Sequence, residues 1–175
     1  MLYSILAGLL FTACQQETRT PDYEGFVHVV KKGQFELYIP PWLYADRHLN
    51  PKAAIAYTDS LHNSNFIIYR EFIPDTEDDS ITITTAEYAT YASQSVLRTL
   101  QNAEIRQTDT TQFHGYEAIT MRFTGQFDTL DIWYCLTVVR TEEYFFQLVG
   151  YTLKQYADTK GAQMYDAMRS FYPYI

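Results

Sequence analysis

The sequence is poor in cysteine, which excludes a fold held together by disulfides. Its 175 residues include only two cysteines, Cys14 and Cys135, and one pair of thiols cannot supply a disulfide framework. Positive charge is also scarce, since 13 Lys and Arg stand against 21 Asp and Glu, for a formal net charge of −8. A field of this sign repels nucleic-acid phosphates. We therefore expect no nucleic-acid partner.

Signatures of catalysis and cofactor binding are missing as well. The sequence has no G-x-S-x-G, no phosphate-binding loop and no C-x-x-C. No two of its four histidines stand two or four residues apart, the usual spacing of metal ligands. We therefore expect no cofactor and no enzymatic activity, although residues distant in sequence can still assemble a site in the fold.

The amino-terminal segment has the pattern of an export signal. Residues 1–13 carry no charged side chain, and an apolar run leads directly to Cys14. That run is shorter than the roughly 20 apolar residues of a membrane-spanning helix. The small residues Thr12 and Ala13 before Cys14 resemble the lipobox of bacterial lipoproteins, whose cysteine receives a diacylglycerol and becomes the mature N-terminus. The alternative is a buried strand or helix that ends in an ordinary cysteine.

This resemblance implies a division of the chain into three parts. Residues 1–13 are a signal peptide, residues 14–25 a lipidated N-terminus with a flexible polar tether, and residues 26–175 a single domain. The expected location is the cell envelope, anchored by lipid, in the outer membrane or facing the periplasm if the bacterium has two membranes. An aromatic content of 17% is far too high for a disordered chain, so the domain is expected to be folded.

Period-two alternation of apolar residues predicts eight strands joined by hairpin-length turns. They span residues 26–31, 34–39, 53–58, 65–73, 104–112, 116–124, 130–140 and 144–153. A turn is predicted at 125–129. Both faces of 130–140 are apolar, which predicts a strand covered on both sides.

Two helices complete the pattern. Thr84 and Glu87 form a capping box that predicts a helix over 85–102, and a second helix is predicted over 156–171, weakened by Gly161. The predicted core stripe of the first helix contains Tyr88, Tyr91, Ala92, Ser95, Val96, Thr99 and Leu100. The resulting class is α+β, an antiparallel sheet of about six to eight strands flanked by helices on both faces.

This order of elements resembles the PsbP-like fold. The segments that carry the resemblance lie between residues 26 and 172. They are FELYIPPWL, EYATYASQSVLRTL, GYEAITMRF from Gly115, DIWYCLTVVR, YFFQLVGYTL and the final R-S-F at 169–171. That fold occurs in the extrinsic subunit of photosystem II, in Ran-binding nuclear import factors and in many small bacterial lipoproteins. The resemblance implies a binding or assembly factor rather than an enzyme.

Two groups of residues are candidates for binding. Tyr38, Trp42 and Tyr44 surround Pro40-Pro41, and Tyr172 and Tyr174 follow the last helix. Exposed aromatic clusters of this kind favour contact with a partner, and the alternative is that the rings plug the ends of the sheet. Asp75 to Asp79 form an acidic loop whose carboxylates suit a hard cation such as Ca²⁺, although a solvated loop is the simpler interpretation.

Three functions are compatible with the sequence. The first is an envelope binding or assembly module that contacts a protein through the aromatic surface near Trp42. The second is a small-molecule or lipid carrier with an apolar pocket between sheet and helix, and the third is an enzyme of unrecognised type. Cys135 lies in an apolar strand, which favours a structural role for its thiol.

Overall fold

The structure, a computed structural model, describes residues 23–73 and 83–174. Within these residues ten strands and two α-helices form an α+β fold, as the sequence predicts. The strands are β1 (Val27–Lys31), β2 (Phe35–Ile39), β3 (Tyr44–Ala45), β4 (Ile55–Asp59), β5 (Ser64–Phe72), β6 (Gln101–Phe113), β7 (Tyr116–Phe127), β8 (Leu130–Arg140), β9 (Tyr144–Leu153) and β10 (Tyr172–Pro173). The helices are α1 (Thr85–Thr99) and α2 (Ala162–Arg169).

In the described part of the chain the strands form two antiparallel sheets. The large sheet has the order β3-β4-β5-β9-β8-β7-β6, and the small sheet has the order β1-β2-β10. All eight predicted strands are present. The first hairpin, however, lies outside the large sheet and pairs with the last strand of the chain. The pairing of β5 with β9 joins the two halves of the sequence.

Each face of the large sheet is covered by an apolar layer. On one face, α1 packs Ala92 and Val96 into a cluster with Leu136 and Val138 of β8. On the other face, the small sheet and α2 form a second cluster that includes Cys135 of β8. The two-sided burial predicted for residues 130–140 is therefore confirmed.

The capping box at the start of α1 is confirmed. The backbone N–H of Thr84 donates to Glu87 Oε2 at 2.8 Å, and the N–H of Glu87 donates to Thr84 Oγ1 at 3.2 Å. The helix ends at Thr99 rather than at 102, because Leu100 has extended backbone angles and leads directly into β6.

The predicted core stripe of α1 is displaced around the helix. Tyr88, Ala92, Val96 and Leu100 are buried as expected, but Tyr91 is 68% exposed, and Ser95 and Thr99 are also exposed. Their places in the core are taken by Ala89 and Ser93. Small side chains there let the helix approach the sheet, whereas Tyr91 is bulky and carries a hydroxyl that is satisfied by solvent.

Two glycines account for other differences from the predicted boundaries. Gly125 lies inside β7 rather than in a turn. A Cβ there would stand 2.9 Å from Leu100 Cβ at the end of α1, so this close approach requires glycine. Gly161 lies in a π-helical turn (Ala157–Gly161) and packs against the ring of Trp133. A Cβ at this position would lie 3.1 Å from the nearest atom of that ring. The second α-helix consequently begins at Ala162 instead of 156.

Neither α-helix in the described ranges is long and apolar enough to cross a membrane.

Candidate binding surface

The three residues predicted for partner binding lie in different surroundings. Tyr38 is in β2 of the small sheet and is 37% exposed, whereas Tyr44 is in β3 at the edge of the large sheet and is 69% exposed. Trp42 is partly buried, and its indole N–H donates to Gln163 of α2. The ammonium group of Lys160 lies 3.8 Å from the centroid of the Trp42 ring. Trp42 thus contributes to the packing of the chain around α2.

Tyr38 belongs to one of two groups of aromatic contacts that lie on either side of Glu36. Its ring stacks with Tyr23, with centroids 5.1 Å apart, and with His28, with centroids 5.0 Å apart. On the other side of Glu36, the centroid of the Tyr172 ring lies 6.2 Å from that of Tyr174 and 5.3 Å from that of His114. We call the surface formed by Tyr23, His28, Tyr38, Tyr172 and Tyr174 the aromatic face.

Glu36 connects the two halves of the aromatic face. Its Oε2 accepts a hydrogen bond from the Tyr174 hydroxyl at 2.9 Å and lies 3.2 Å from His28 Nε2. The hydrogen bond to Glu36 raises the pKa of the Tyr174 hydroxyl above its ordinary value, and burial raises the pKa of Tyr23. Both phenols are therefore neutral hydrogen-bond donors at physiological pH.

The alternation of β2 explains why these side chains face outward. The odd-numbered residues of β2 are fully buried, so Glu36 and Tyr38 point away from the core. The register places His28 opposite Tyr38, and Tyr172 opposite Glu36. A hairpin and a distant terminal strand thus present their polar and aromatic side chains on one surface.

Sequence reasoning located only part of this surface. Tyr38, Tyr172 and Tyr174 are predicted from the sequence as aromatics near loops. The predicted strands 26–31 and 34–39 place His28 opposite Leu37, whereas a turn one residue longer places it opposite Tyr38. The contact between Glu36 and Tyr174 spans 138 residues. No local signal in the sequence indicates that the last strand pairs with β2.

A buried ion cluster fixes the loops behind Trp42. Asp59 is 6% exposed, and its Oδ2 lies 2.8 Å from Lys160 Nζ and 2.7 Å from His62 Nδ1. Burial alone would raise the pKa of the Asp59 carboxyl, but the hydrogen bonds from Lys160 and His62 outweigh it and hold that pKa below its usual value. Sequence reasoning missed this cluster, because Asp59 and Lys160 stand 101 positions apart.

Two kinds of chemistry considered from the sequence, metal binding and thiol reactivity, can be assessed in the residues that the structure describes. No group of three or more His, Cys, Asp or Glu side chains in those residues is placed to hold a metal ion. Cys135 is fully buried, and burial raises the pKa of its thiol to about 12 despite the nearby Arg122. The acidic loop Asp75 to Asp79 lies outside the described residues.

Two cavities flank the large sheet. The first is an open cleft of about 920 Å³ between β6, β7 and the segment that leads into α2, and its lining includes Asp109, Arg122 and Tyr165. Gln107 accepts a hydrogen bond from the Arg122 guanidinium, which lies 4.5 Å from the Tyr165 ring centroid. The second, about 500 Å³, lies between α1 and the opposite face of the sheet. This is the position predicted for an apolar pocket.

No protein-family model and no curated protein matches this sequence. Solved structures do match it. A cyanobacterial PsbP, CyanoP from Synechocystis sp. PCC 6803, is 16% identical with a TM-score of 0.57, and the match covers 85% of this chain and 91% of CyanoP.

Two further structures match at similar length. LpqN, involved in cell envelope biogenesis in Mycobacterium tuberculosis, is 14% identical with a TM-score of 0.62, covering 86% of this chain and 90% of LpqN. The Ran-binding protein Mog1p of Saccharomyces cerevisiae is 14% identical with a TM-score of 0.55, covering 84% of this chain and 94% of Mog1p. At these identities the likeness establishes a PsbP-like fold and nothing about activity.

Proposed function

From a PsbP-like fold whose small sheet exposes an aromatic face, we propose that this chain is a non-catalytic binding module of the bacterial cell envelope that contacts a protein partner. The aromatic face is the observation that carries the proposal. Tyrosines supply large apolar area together with a hydrogen-bonding hydroxyl, and they are enriched at the energetic centres of protein interfaces. Tyr38 and Tyr172 are 37% and 42% exposed, although they take part in the contacts described above.

The composition of the aromatic face also favours a protein over other partners. The carboxylate of Glu36 and the imidazole of His28 lie at its centre, within 3.2 Å of each other. It therefore offers no cluster of cations to phosphates or anionic lipids. Val30 adds an exposed apolar side chain on β1, opposite Glu36. An aromatic and aliphatic centre with a few hydrogen-bonding groups is typical of a protein interface.

This proposal moves the expected contact surface away from Trp42. The indole of Trp42 contacts Gln163 and Lys160, so these interactions stabilise the fold. Tyr44 is exposed but belongs to the large sheet. Of the three residues expected from the sequence, Tyr38 is the one that we retain at the centre of the surface.

The module is proposed to be attached to the membrane through a lipid on Cys14, with residues 15–25 as a tether. Support comes from the uncharged leader and the small residues before Cys14. The structurally similar LpqN is involved in cell envelope biogenesis, and Mog1p is a Ran-binding protein. These roles agree with an envelope location and with a protein partner.

The proposal is tested by substitution within the aromatic face. We expect Tyr38→Ala combined with Tyr172→Ala to weaken co-purification of the partner from solubilised membranes by at least roughly thirtyfold, since the loss of a single hot-spot residue costs about 2 kcal/mol or more. Tyr44→Ala and Tyr91→Ala are the matched controls, because both tyrosines are more exposed but lie on other surfaces. Loss of the partner in Tyr44→Ala, with retention in the double variant, would contradict the proposal and restore the surface near Trp42.

A further inference from the structure

The cavity between α1 and the large sheet is separate from the aromatic face. It is lined by the α1-facing side of the sheet, whereas the small sheet covers the opposite face. Its volume of about 500 Å³ falls within the range of about 300–1,000 Å³ that is typical of small-molecule sites. Aliphatic and aromatic side chains that include Val96, Leu100, Leu130 and Ile132 form much of its wall.

Asn65 leaves an unsatisfied polar atom at this cavity. The residue lines the cavity and is 8% exposed, and its Oδ1 has no hydrogen-bond partner among the residues described. A buried acceptor without a partner costs about 1–3 kcal/mol, so natural proteins contain few of them. This oxygen is covered by protein atoms in the structure, so a ligand donor reaches it when the Asn65 side chain turns toward the cavity, and that hydrogen bond would remove the cost.

Three tyrosines give the same cavity a polar end. Tyr151 is paired with Asn65 across β9 and β5, and its ring is stacked on Tyr134 with centroids 5.7 Å apart. The hydroxyl of Tyr69 accepts a hydrogen bond from Asn50 Nδ2 at 2.8 Å. Burial raises the pKa of all three phenols, so they stay protonated and neutral.

The charge of the lining limits the kind of ligand. Among the described residues that line the cavity, Asp128 is the one with a carboxylate, and none is Lys, Arg or His. An anion would therefore enter without a counter-charge, at a high cost in desolvation. An uncharged molecule with an aromatic or aliphatic body meets no such cost.

We propose that this cavity binds an uncharged amphipathic small molecule that packs against the apolar wall and donates a hydrogen bond to Asn65. The ligand's apolar body lies along Val96, Leu100 and Ile132, and its donor group points toward Asn65 and the tyrosine hydroxyls. This activity is independent of the protein contact proposed for the aromatic face, because the two sites lie on opposite sides of the large sheet.

The test uses N-phenyl-1-naphthylamine, an uncharged aromatic amine with one N–H donor whose fluorescence rises in apolar surroundings. We expect saturable binding to the folded protein. The anionic analogue 1-anilinonaphthalene-8-sulfonate should bind at least roughly tenfold more weakly, a difference of about 1.4 kcal/mol. Equal affinity for the two probes, or no saturable binding of the amine, would overturn the proposal.

Two variants locate the bound probe. Ser95→Trp places a bulky side chain at an exposed position of α1 that lines the cavity, and we expect it to abolish binding. Gln94→Trp introduces the same residue one position away, where it does not line the cavity, and should bind the amine as the unmodified protein does. If Ser95→Trp and Gln94→Trp bind equally well, the probe is elsewhere and the proposal fails.

Asn65→Leu separates a ligand-binding role from a structural one. Because Oδ1 has no partner in the described residues, we expect the variant to melt at the same temperature or higher, while it binds the amine roughly tenfold more weakly. A lower melting temperature with unchanged affinity would show that Asn65 serves the fold and would contradict its assignment. The Ser95→Trp experiment does not depend on the stability of the Asn65 variant.

Discussion

For single residues, burial and hydrogen-bond partners determine the protonation states of two side chains, Cys135 and Asp59. The thiol of Cys135 is fully buried, and its pKa of about 12 keeps it protonated and unreactive at physiological pH. Asp59 is almost as deeply buried, but it remains ionised because Lys160 and His62 both face it. Lys160 also covers the ring of Trp42. Asp59 therefore holds together the loop after β4 and the segment that precedes α2.

Replacing Asp59 tests this cluster. Asp59→Asn removes the charge that faces Lys160, and we expect the free energy of unfolding to fall by about 1–3 kcal/mol at pH 7, the usual contribution of hydrogen bonds to charged groups. Asp158→Asn is the matched control, because Asp158 is an exposed residue of the same segment. Chemical denaturation measures both, and an equal loss of stability in the two variants would contradict the assignment.

The pH dependence of the same variant has a definite sign. The pKa of Asp59 is lower in the folded state than its ordinary value of about 3.9. Its contribution is therefore fully present above that ordinary value and is lost as the pH falls through the folded pKa. The difference in stability between the unmodified protein and Asp59→Asn should be present at about pH 5 and shrink below about pH 4.

At the scale of elements, the sequence predicts what is local and misses what is tertiary. Eight strands follow from alternation and α1 follows from its capping box, because each signal lies within a few residues. The start of α2 is displaced because Gly161 must fit against Trp133, a contact between distant segments. The two-residue strands β3 and β10 are too short to show any alternation.

The division into two sheets has the same origin. In the sequence, the hairpin of β1 and β2 shows the same alternation as the other hairpins. Only its pairing with β10 shows that it forms a separate sheet. The same limit applies to the candidate sites. Tyr38 could be proposed from the aromatic residues around Pro40-Pro41, whereas the aromatic face and the cavity at Asn65 each depend on strands brought together from distant positions.

For the whole molecule, we propose a membrane attachment followed by a folded binding domain. Because a fold does not by itself determine activity, we assign the proposed function to a surface, the aromatic face. A lipid at Cys14 would hold that surface close to a membrane while the polar residues 15–25 allow it to reach a partner. Eleven extended residues span at most about 40 Å.

Substitution of Cys14 tests the attachment. We expect metabolic labelling with palmitate to mark the unmodified protein, and Cys14→Ser to lose the label and leave the membrane fraction. Cys135→Ala is the matched control, because it removes the other thiol of the chain and should keep the label. Labelling that persists in Cys14→Ser, or membrane association equal to that of the control, would contradict a lipid at this position.

The most direct test of the central claim is photocrosslinking in intact cells. A benzophenone amino acid is placed at Val30, which is 54% exposed on the outer side of the small sheet, and separately at Leu97, which is 37% exposed on α1. The account predicts that irradiation joins one defined protein to the Val30 variant and leaves the Leu97 variant unjoined. An adduct formed through Leu97 and not through Val30 would contradict it.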